Sequence, residues 1–306
     1  MMTLFYSRRA FDTSTRRFTN HFAQNTSYVS LGESDGKVSK GGLLTATDWT
    51  KAVQKQAKNG HVVIYVHGFN TKQAMMLKRQ KLLEKGLHGQ GFDAAVVAFD
   101  WASDGVTSIS AYKRDAKDAN RSCVPMIRDG VVALKKRDPA LKVHIVAHSM
   151  GTYLTLLGLH YAADAFAGGP VIDQIAFIAA DSDQRWLMKS GWGGKAAVNA
   201  CAQLTHYYSM EDMVLDFSGK IPNFNTKRSG QHGLLPWPAS KLRDVACMQR
   251  YWAVTEPREH GEFWSHGWYF EDQRVHEDLA QTLMGVAHKD VKTRERLSSG
   301  DQRLKA

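Results

Sequence analysis

Cysteine is scarce in this sequence. The 306 residues include only Cys123, Cys201 and Cys247, an odd number at wide spacing. They form no Cys-x-x-Cys pair and have no histidine near them at zinc-finger spacing. We therefore expect reduced core residues in a cytoplasmic protein, not a disulfide framework or a structural zinc site.

Long hydrophobic runs are also lacking. The chain reaches Arg8 and Arg9 before any apolar run as long as that of a signal peptide, which argues against a secretory signal or an anchor. No later segment is apolar for long enough to cross a bilayer, so we expect no transmembrane segment. Internal repeats and low-complexity tracts are absent. With 43% hydrophobic and 23% charged residues, the composition is that of an ordinary globular chain.

Acidic residues are outnumbered, 30 against 40 lysines and arginines, which gives a formal net charge of +10. Such an excess could steer anionic substrates, membranes or nucleic acid toward the surface. The basic residues are scattered, however, and no nucleic-acid-binding module is recognisable. A solvated basic surface without a specific nucleic-acid partner is the preferred interpretation, and the sequence does not indicate an oligomeric state.

Continuous apolar runs predict the central strands. Residues 61–66, 94–99, 142–147 and 174–180 are short, apolar and rich in β-branched side chains, which is typical of strands buried on both faces of a parallel sheet. Segments of helical period separate them. This alternation predicts an α/β fold, with a doubly wound, mostly parallel sheet flanked by helices.

The ends of the chain are less regular. We predict further strands at 4–9, 27–31, 204–209 and 251–254, and helices at 49–58, 75–86, 111–136 and 274–287. Thr47 or Asp48 would cap the first of these helices. Residues 216–247 are rich in Gly, Pro, Asn and Ser and predict an insertion or cap-like segment within a single domain that spans residues 1–306.

The strongest chemical signal is Ala147-His148-Ser149-Met150-Gly151. An apolar strand runs directly into this small-x-Ser-x-Gly turn, and a helical segment follows from residue 152 to 161. This is the context of a nucleophile elbow, in which tight packing requires small residues on both sides of the serine. Ala147 replaces the commoner glycine. A serine that only caps a helix is the alternative.

A second turn supplies what acyl transfer needs beside a nucleophile. His67-Gly68-Phe69-Asn70 follows the earliest core strand. In this arrangement the backbone amides of Phe69 and Met150 would form an oxyanion hole, and Gly68 would let the backbone turn its N–H groups inward. The two turns, in this order on successive strands, favour a serine hydrolase.

These motifs resemble an uncharacterised, mainly bacterial branch of the α/β-hydrolase superfamily. The likeness covers most of the chain and is weakest from residue 217 to 254. It rests on both turns and on three further stretches: Phe5-Tyr6 near Arg8, Phe99-Asp-Trp101-Ala-Ser103, and Tyr112 with Asp115 at the start of a helix. The resemblance implies an α/β-hydrolase fold and an esterase-like activity.

The acid of a Ser-His-Asp triad must lie between the nucleophile and the histidine in this fold. Asp212 follows a predicted strand where the fold usually presents its carboxylate, and the resemblance supports it. Asp181 and Asp183 follow the preceding strand and are the alternative. We prefer Asp212 and regard Glu211 as a solvated neighbour.

His266 is the preferred base, because it lies in the loop-like Ser265-His266-Gly267-Trp268-Tyr269, and the resemblance also indicates it. The other histidines are poorer candidates. His276 falls inside the predicted last helix and His260 in a charged loop, so both are expected at the surface, while His288 lies beyond the helix and His148 flanks the nucleophile.

These assignments predict carboxylic ester hydrolysis through an acyl-enzyme, with no metal or organic cofactor. The substrate is expected to be a small-molecule ester in an aromatic pocket, and Trp101, His148 and Trp268 are the predicted contacts. Two alternatives stay open. The same triad could act on thioesters or amides, or the scaffold could serve a non-catalytic binding protein.

Overall fold

A central sheet of eleven strands organises the molecule. The structure is a computed structural model, and it describes residues 2–32, 36–220, 223, 225–254, 263–297 and 301–306. The strands are β1 (Thr3–Asp12), β2 (Arg17–Leu31), β3 (Leu43–Leu44), β4 (His61–Val66), β5 (Ala95–Asp100), β6 (Lys142–His148), β7 (Ile172–Ile178), β8 (Cys201–Tyr208), β9 (Leu242–Ala246), β10 (Arg294–Arg296) and β11 (Gln302–Leu304).

The sheet is mostly parallel, as predicted. Its order is β10-β11-β9-β8-β7-β6-β4-β5-β1-β2-β3. Every neighbouring pair from β11 across to β1 is parallel, and only the outer pairs β10–β11, β1–β2 and β2–β3 are antiparallel. The four apolar runs that predicted central strands lie side by side as β5, β4, β6 and β7. The carboxyl ends of these strands therefore meet at one edge of the sheet.

Helices cover both faces of the sheet, because the core strands are apolar on both sides. The helices are α1 (Ala46–Gln56), α2 (Gln73–Gly89), α3 (Ile109–Pro125), α4 (Ala133–Arg137), α5 (Met150–Tyr161), α6 (Trp192–Ala200), α7 (Met213–Lys220), α8 (Ser229–His232), α9 (Met248–Val254), α10 (Trp264–Gly267) and α11 (Gln273–Leu283). A π-helical segment, Met126–Val132, joins α3 to α4.

Two hydrophobic clusters form the core, one on each face. Alternate residues of β4 divide between them: Val62, Ile64 and Val66 belong to one cluster, and Val63 and Tyr65 to the other. The first cluster includes side chains of α1, α3, α5 and α6, and the second includes those of α2 and α11. Helices on both faces confirm the doubly wound arrangement.

The largest error of prediction at the amino-terminal end concerns β2. This strand begins at Arg17, ten residues before the predicted strand, in a polar stretch for which we predicted no strand. Many of its side chains are partly exposed, so no apolar face marked it in the sequence. The first helix also begins earlier than expected, because the Thr45 side chain, not Thr47 or Asp48, accepts a hydrogen bond from the Asp48 N–H.

Two corrections concern the later part of the chain. Residues 251–254 are helical, as the end of α9, and not a strand. The sheet neighbour of β8 is β9, which lies inside the predicted insertion at 216–247. Its five residues include Arg243 and Asp244, and this polarity concealed the strand. The remainder of the predicted insertion that the structure describes forms α7, α8 and the segments around them.

The three cysteines are buried and free. Among the described residues, no helix combines the length and the apolar character that a membrane crossing requires.

Candidate active site

The turn between β6 and α5 holds Ser149 in an unusual backbone conformation. Its φ is 55° and its ψ is −128°, a region that non-glycine residues seldom adopt. Neighbouring backbone sustains it: the Ser149 N–H donates to the Ile178 carbonyl (3.1 Å), and the Ser149 carbonyl accepts from the Asp181 N–H (3.2 Å). The β7 end therefore fixes the position of this serine, with the side chain at the carboxyl edge of the sheet.

Two glycines allow the turns around Ser149 to approach each other. A Cβ atom on Gly68 would lie 2.6 Å from Ser149 Cβ, and one on Gly151 would lie 2.5 Å from the His67 carbonyl oxygen. Any larger residue would force these segments apart. The predicted oxyanion amides, those of Phe69 and Met150, directly follow Gly68 and Ser149 in the chain. The structure thus brings the two predicted turns into contact.

A histidine and a carboxylate meet beside this serine turn. His266, in α10, lies with Nδ1 2.7 Å from Asp212 Oδ2. Asp212 is fully buried, and its Oδ1 accepts a hydrogen bond from the Leu215 N–H (3.0 Å), which fixes the carboxylate at the start of α7. The His266 carbonyl is hydrogen-bonded to His148 Nε2 (2.8 Å), and the two rings lie 4.6 Å apart. His148, the residue before Ser149, therefore links His266 to the serine turn.

The alternative carboxylates have other partners. Asp181 accepts hydrogen bonds from Arg228 Nε (2.7 Å), Tyr112 Oη (2.7 Å) and Ser218 Oγ (2.7 Å). Asp183 caps the short 3-10 helix Gln184–Leu187 and pairs with Arg185. Asp212 is the carboxylate that the structure places against His266.

Three other histidines were considered as the base: His276, His288 and His260. His276 is buried and packs against Gly86, where a Cβ atom would lie 2.3 Å from His276 Nδ1, so its expected surface position is wrong. His288 contacts Arg294, remote in sequence from the elbow. His260 lies outside the described residues.

The predicted substrate contacts differ from expectation in their burial. Trp101 and Trp268 have no exposed surface, and His148 is 1% exposed. Trp101 stacks on His67 and donates from Nε1 to the His67 carbonyl (2.8 Å), so it supports the loop that carries Phe69. Trp268 packs in the core against Tyr251. In this structure these three side chains are buried behind the residues of the site and do not face solvent.

A buried ion pair, which sequence analysis missed, holds the same loop. Arg9 Nε lies 2.7 Å from Asp100 Oδ1, both side chains being fully buried. The same guanidinium donates to the carbonyls of Thr71 (2.7 Å) and Ser103 (3.0 Å). Burial opposes ionisation of Asp100, but the charge of Arg9 and the contact with His67 outweigh it and hold the pKa of Asp100 at about 2.

Asp115 holds the same part of the loop, after Phe69, while Trp101 holds the part before it. Its carboxylate accepts from Ser103 Oγ (2.6 Å) and from the N–H groups of Asp104 (3.2 Å) and Asn70 (3.4 Å), and Ser103 Oγ in turn accepts from the Thr71 N–H (3.0 Å). Burial raises the pKa of Asp115 to about 6. The backbone on both sides of Phe69 is therefore fixed by buried charged and polar groups.

The site is nearly closed to solvent. Ser149 is 6% and His266 8% exposed. The arrangement provides a hydroxyl on a strained turn, a histidine oriented by a buried carboxylate, and two backbone amides at converging turns. Such a set can perform acyl transfer.

Comparison with known proteins gives one family. The family described as "Alpha/beta hydrolase of unknown function (DUF900)" matches residues 44–281. No curated protein matches the sequence.

Several solved structures are similar in fold at low identity. Lipase B from Aspergillus fumigatus is 15% identical, with a TM-score of 0.33, over 58% of this chain, which spans 44% of the length of that lipase. An esterase from Pyrobaculum calidifontis is 15% identical, with a TM-score of 0.39, over 76% of each chain. The phospholipase PlaB from Legionella pneumophila, in complex with thio-NAD, is 11% identical, with a TM-score of 0.38, over 80% of this chain and 67% of its own.

Proposed function

Because the chain belongs to a family of α/β hydrolases of unknown function, we propose that it cleaves carboxylic esters with a triad of Ser149, His266 and Asp212. The observation that carries the proposal is the 2.7 Å contact between His266 Nδ1 and Asp212 Oδ2 beside the strained serine turn. With Nδ1 bound to the carboxylate, Nε2 is the nitrogen left for the serine hydroxyl.

The reaction proceeds in two acyl transfers. His266 Nε2 takes the proton of Ser149 Oγ as Oγ attacks the ester carbonyl carbon, and the amides of Phe69 and Met150 stabilise the oxyanion. Collapse of this intermediate breaks the ester C–O bond, and the leaving alkoxide takes the proton from His266. Water then attacks the acyl-enzyme by the same route and releases the acid. Asp212 keeps the tautomer and stabilises the imidazolium.

Labelling of Ser149 tests the proposal. We expect a fluorophosphonate to add once to the wild-type protein, as measured by intact mass, and Ser149→Ala to take no label and to lose ester turnover by several orders of magnitude while its melting temperature is retained. Ser182→Ala is the control, since Ser182 is a buried serine near the same sheet edge that bonds to Ser229. A wild-type protein that takes no label, or an equally labelled Ser149→Ala, contradicts the proposal.

Two other functions remain alternatives. A thioesterase or an amidase would use the same triad, so matched p-nitrophenyl ester, thioester and anilide substrates separate them by turnover. A non-catalytic binding protein would turn over none of the three.

A further inference from the structure

Exposed apolar side chains stand on the segment that carries Asp212. Met210 is 58% exposed, Met213 72% and Phe217 49%. Met213 and Phe217 are four residues apart in α7 and therefore share one face of that helix. A helix on a globular protein normally turns its apolar stripe toward the core. In α7 these two large apolar side chains face outward instead.

The position of α7 ties this face to the candidate site. At its start the Met213 N–H donates to Ser265 Oγ (3.3 Å), next to His266. Near its end Ser218 Oγ donates to Asp181 Oδ1 (2.7 Å), and the Asp181 N–H in turn bonds to the Ser149 carbonyl. The helix therefore runs from the histidine side of the site to the β7 side and is linked to Ser149 through Asp181.

A hydrogen bond connects the end of α7 to a second segment with exposed apolar side chains. Asn223 Nδ2, just beyond α7, donates to Tyr112 Oη (2.9 Å) in the first turn of α3. Ile109, which begins α3, is 41% exposed, and Val106 before it is 50% exposed. We call the set Val106, Ile109, Met210, Met213 and Phe217 the apolar rim. Scattered exposed apolar residues are normal, but a group beside a catalytic cleft marks a contact surface.

Positive charge borders the apolar rim. Lys72 packs beside Val106, since a Cβ atom on Gly105 would lie 2.4 Å from Lys72 Cγ. Lys113, which follows Tyr112 in α3, and Lys227, which precedes Arg228 at Asp181, are also exposed.

Three acidic side chains at residues 104–113 and 210–220 are not buried: two are matched by cations, and the third, Glu211, is partly exposed between Met210 and Met213. Asp104 pairs with Arg114 (2.6 Å), and Asp216 pairs with Lys220 (2.7 Å). The three lysines beside the rim outnumber Glu211, and the whole chain carries +10. An apolar face bordered by lysines complements a lipid surface with negative headgroups, which attract lysines while the acyl region receives apolar side chains.

We propose that the apolar rim docks the protein onto an anionic lipid surface and that the substrates of Ser149 are esters held in such a surface. This inference rests on the proposed function for its second half. A lipid surface would cover the apolar rim and bring acyl esters to the mouth of a site that is otherwise nearly closed. Contact with anionic headgroups would also let the net positive charge of the molecule strengthen binding.

The test compares two double variants. Met213→Ser with Phe217→Ser removes the two rim side chains of α7. The control, Tyr161→Ser with Met284→Ser, removes two apolar side chains that are 56% and 46% exposed. The control residues lie toward the amino ends of the strands, because α5 runs away from Ser149 to end at Tyr161, and Gly285, next to Met284, lies near Gln174 at the start of β7.

Binding is measured by cosedimentation with vesicles of equimolar phosphatidylglycerol and phosphatidylcholine, and with vesicles of phosphatidylcholine alone. We expect the wild-type protein and the control variant to bind the anionic vesicles, and the rim variant to bind about tenfold more weakly, because two apolar side chains no longer leave water. Binding should weaken on vesicles without phosphatidylglycerol and at high salt. Ser149→Ala should bind as the wild-type protein does.

Activity separates the surface from the chemistry. On soluble p-nitrophenyl acetate the rim variant should match the wild-type protein, and on p-nitrophenyl palmitate held in the anionic vesicles it should be about tenfold slower, in line with its weaker binding. Equal vesicle binding by both double variants overturns the inference. A concentration-dependent dimer that the wild-type protein forms and the rim variant does not would also overturn it, since the apolar rim would then be the contact between two copies of the chain. If the wild-type protein binds vesicles but hydrolyses neither ester, the proposed function fails while the docking surface stands.

Discussion

At the scale of single residues, the choice of the triad acid has a direct test. Asp212→Asn keeps the shape of the side chain but removes the charge that orients His266, so we expect turnover to fall by up to ~10⁴, as the corresponding change does in serine proteases. Asp181→Asn should instead mainly lower the melting temperature, because it weakens a buried ion pair with Arg228. Turnover and melting temperature, measured on both variants, check this.

The reverse result would contradict the assignment. If Asp212→Asn retains turnover while Asp181→Asn is inactive and stably folded, the acid belongs to the end of β7. Asp183→Asn serves as a further control, because Asp183 caps a short helix and pairs with an exposed arginine.

Asp115 gives a second prediction at this scale. Asp115→Asn replaces one carboxylate oxygen by a donor, which opposes the N–H and O–H groups that now point at it. The loop after Phe69 should shift, and we expect kcat to fall about tenfold with little change in KM, because oxyanion stabilisation acts on the transition state. Asp118→Asn, one turn further along α3, is the matched control.

A positioning role for Asp115 also predicts an effect on the pH profile. In the wild-type protein the Asp115 carboxyl titrates at about 6. We expect kcat to fall as the pH drops below 6, and part of that fall should come from protonation of Asp115. The Asn variant should lose that part. An equal fall in kcat for Asp118→Asn, or a profile that does not change shape, would contradict the role.

At the scale of elements, the sequence predicted the strands whose side chains are apolar on both faces. The run 61–66 is β4 with the same bounds, and 142–147 differs from β6 by one residue. Residues 17–26 of β2 and the whole of β9 were not predicted, because polar side chains interrupt their apolar faces. Residues 251–254 were misread because Tyr251 and Trp252 are common in strands, while their helix is set by neighbours that a local pattern does not contain.

The candidate site followed the same rule. Ser149 and Gly68 were found because tight turns require particular residues locally. Arg9 and Arg228 were not, because their carboxylate partners lie 91 and 47 positions away in the chain, and no local spacing indicates such a pair. The neighbouring motif residues Asp100 and Asp115 were noticed only as parts of a resemblance.

At the scale of the whole molecule, buried histidines set the pH dependence of stability. Burial lowers the pKa of His67, that of His148 and that of His144, the last to about 3. In the unfolded chain these groups take up protons near pH 6.5. The folded state resists this uptake, so their contribution to stability is present above pH 6.5 and is lost as the pH falls from 6.5 toward 3.

Asp115 acts in the opposite direction. Its raised pKa means that the folded state binds a proton more readily than the unfolded state between about pH 4 and 6, which favours folding as the pH falls. Burial also raises the pKa of Glu84 and that of Asp118, which act in the same direction as Asp115. Burial lowers the pKa of four further histidines, His61, His232, His276 and His288, so the histidines outweigh these carboxyls and we expect the melting temperature to drop below pH 6. Melting curves recorded from about pH 8 to about pH 4 check the sign of this pH dependence.

His144→Gln isolates one part of this effect. The variant should show a shallower fall in melting temperature with acid than the wild-type protein, whereas His21→Gln, at an exposed position, should not. A melting temperature that rises steadily as the pH falls would show that the buried histidines do not control acid stability.

The close approach of Gly68 to Ser149 has a consequence for engineering. Each turn occupies the space that a side chain on the other would need, so random changes at 66–71 and 147–151 would mostly yield inactive clones. The outward face of α7 has no such constraint at Met213 and Phe217. A mutational library meant to alter substrate range would therefore retain most of its active members if its diversity were confined to that helix face.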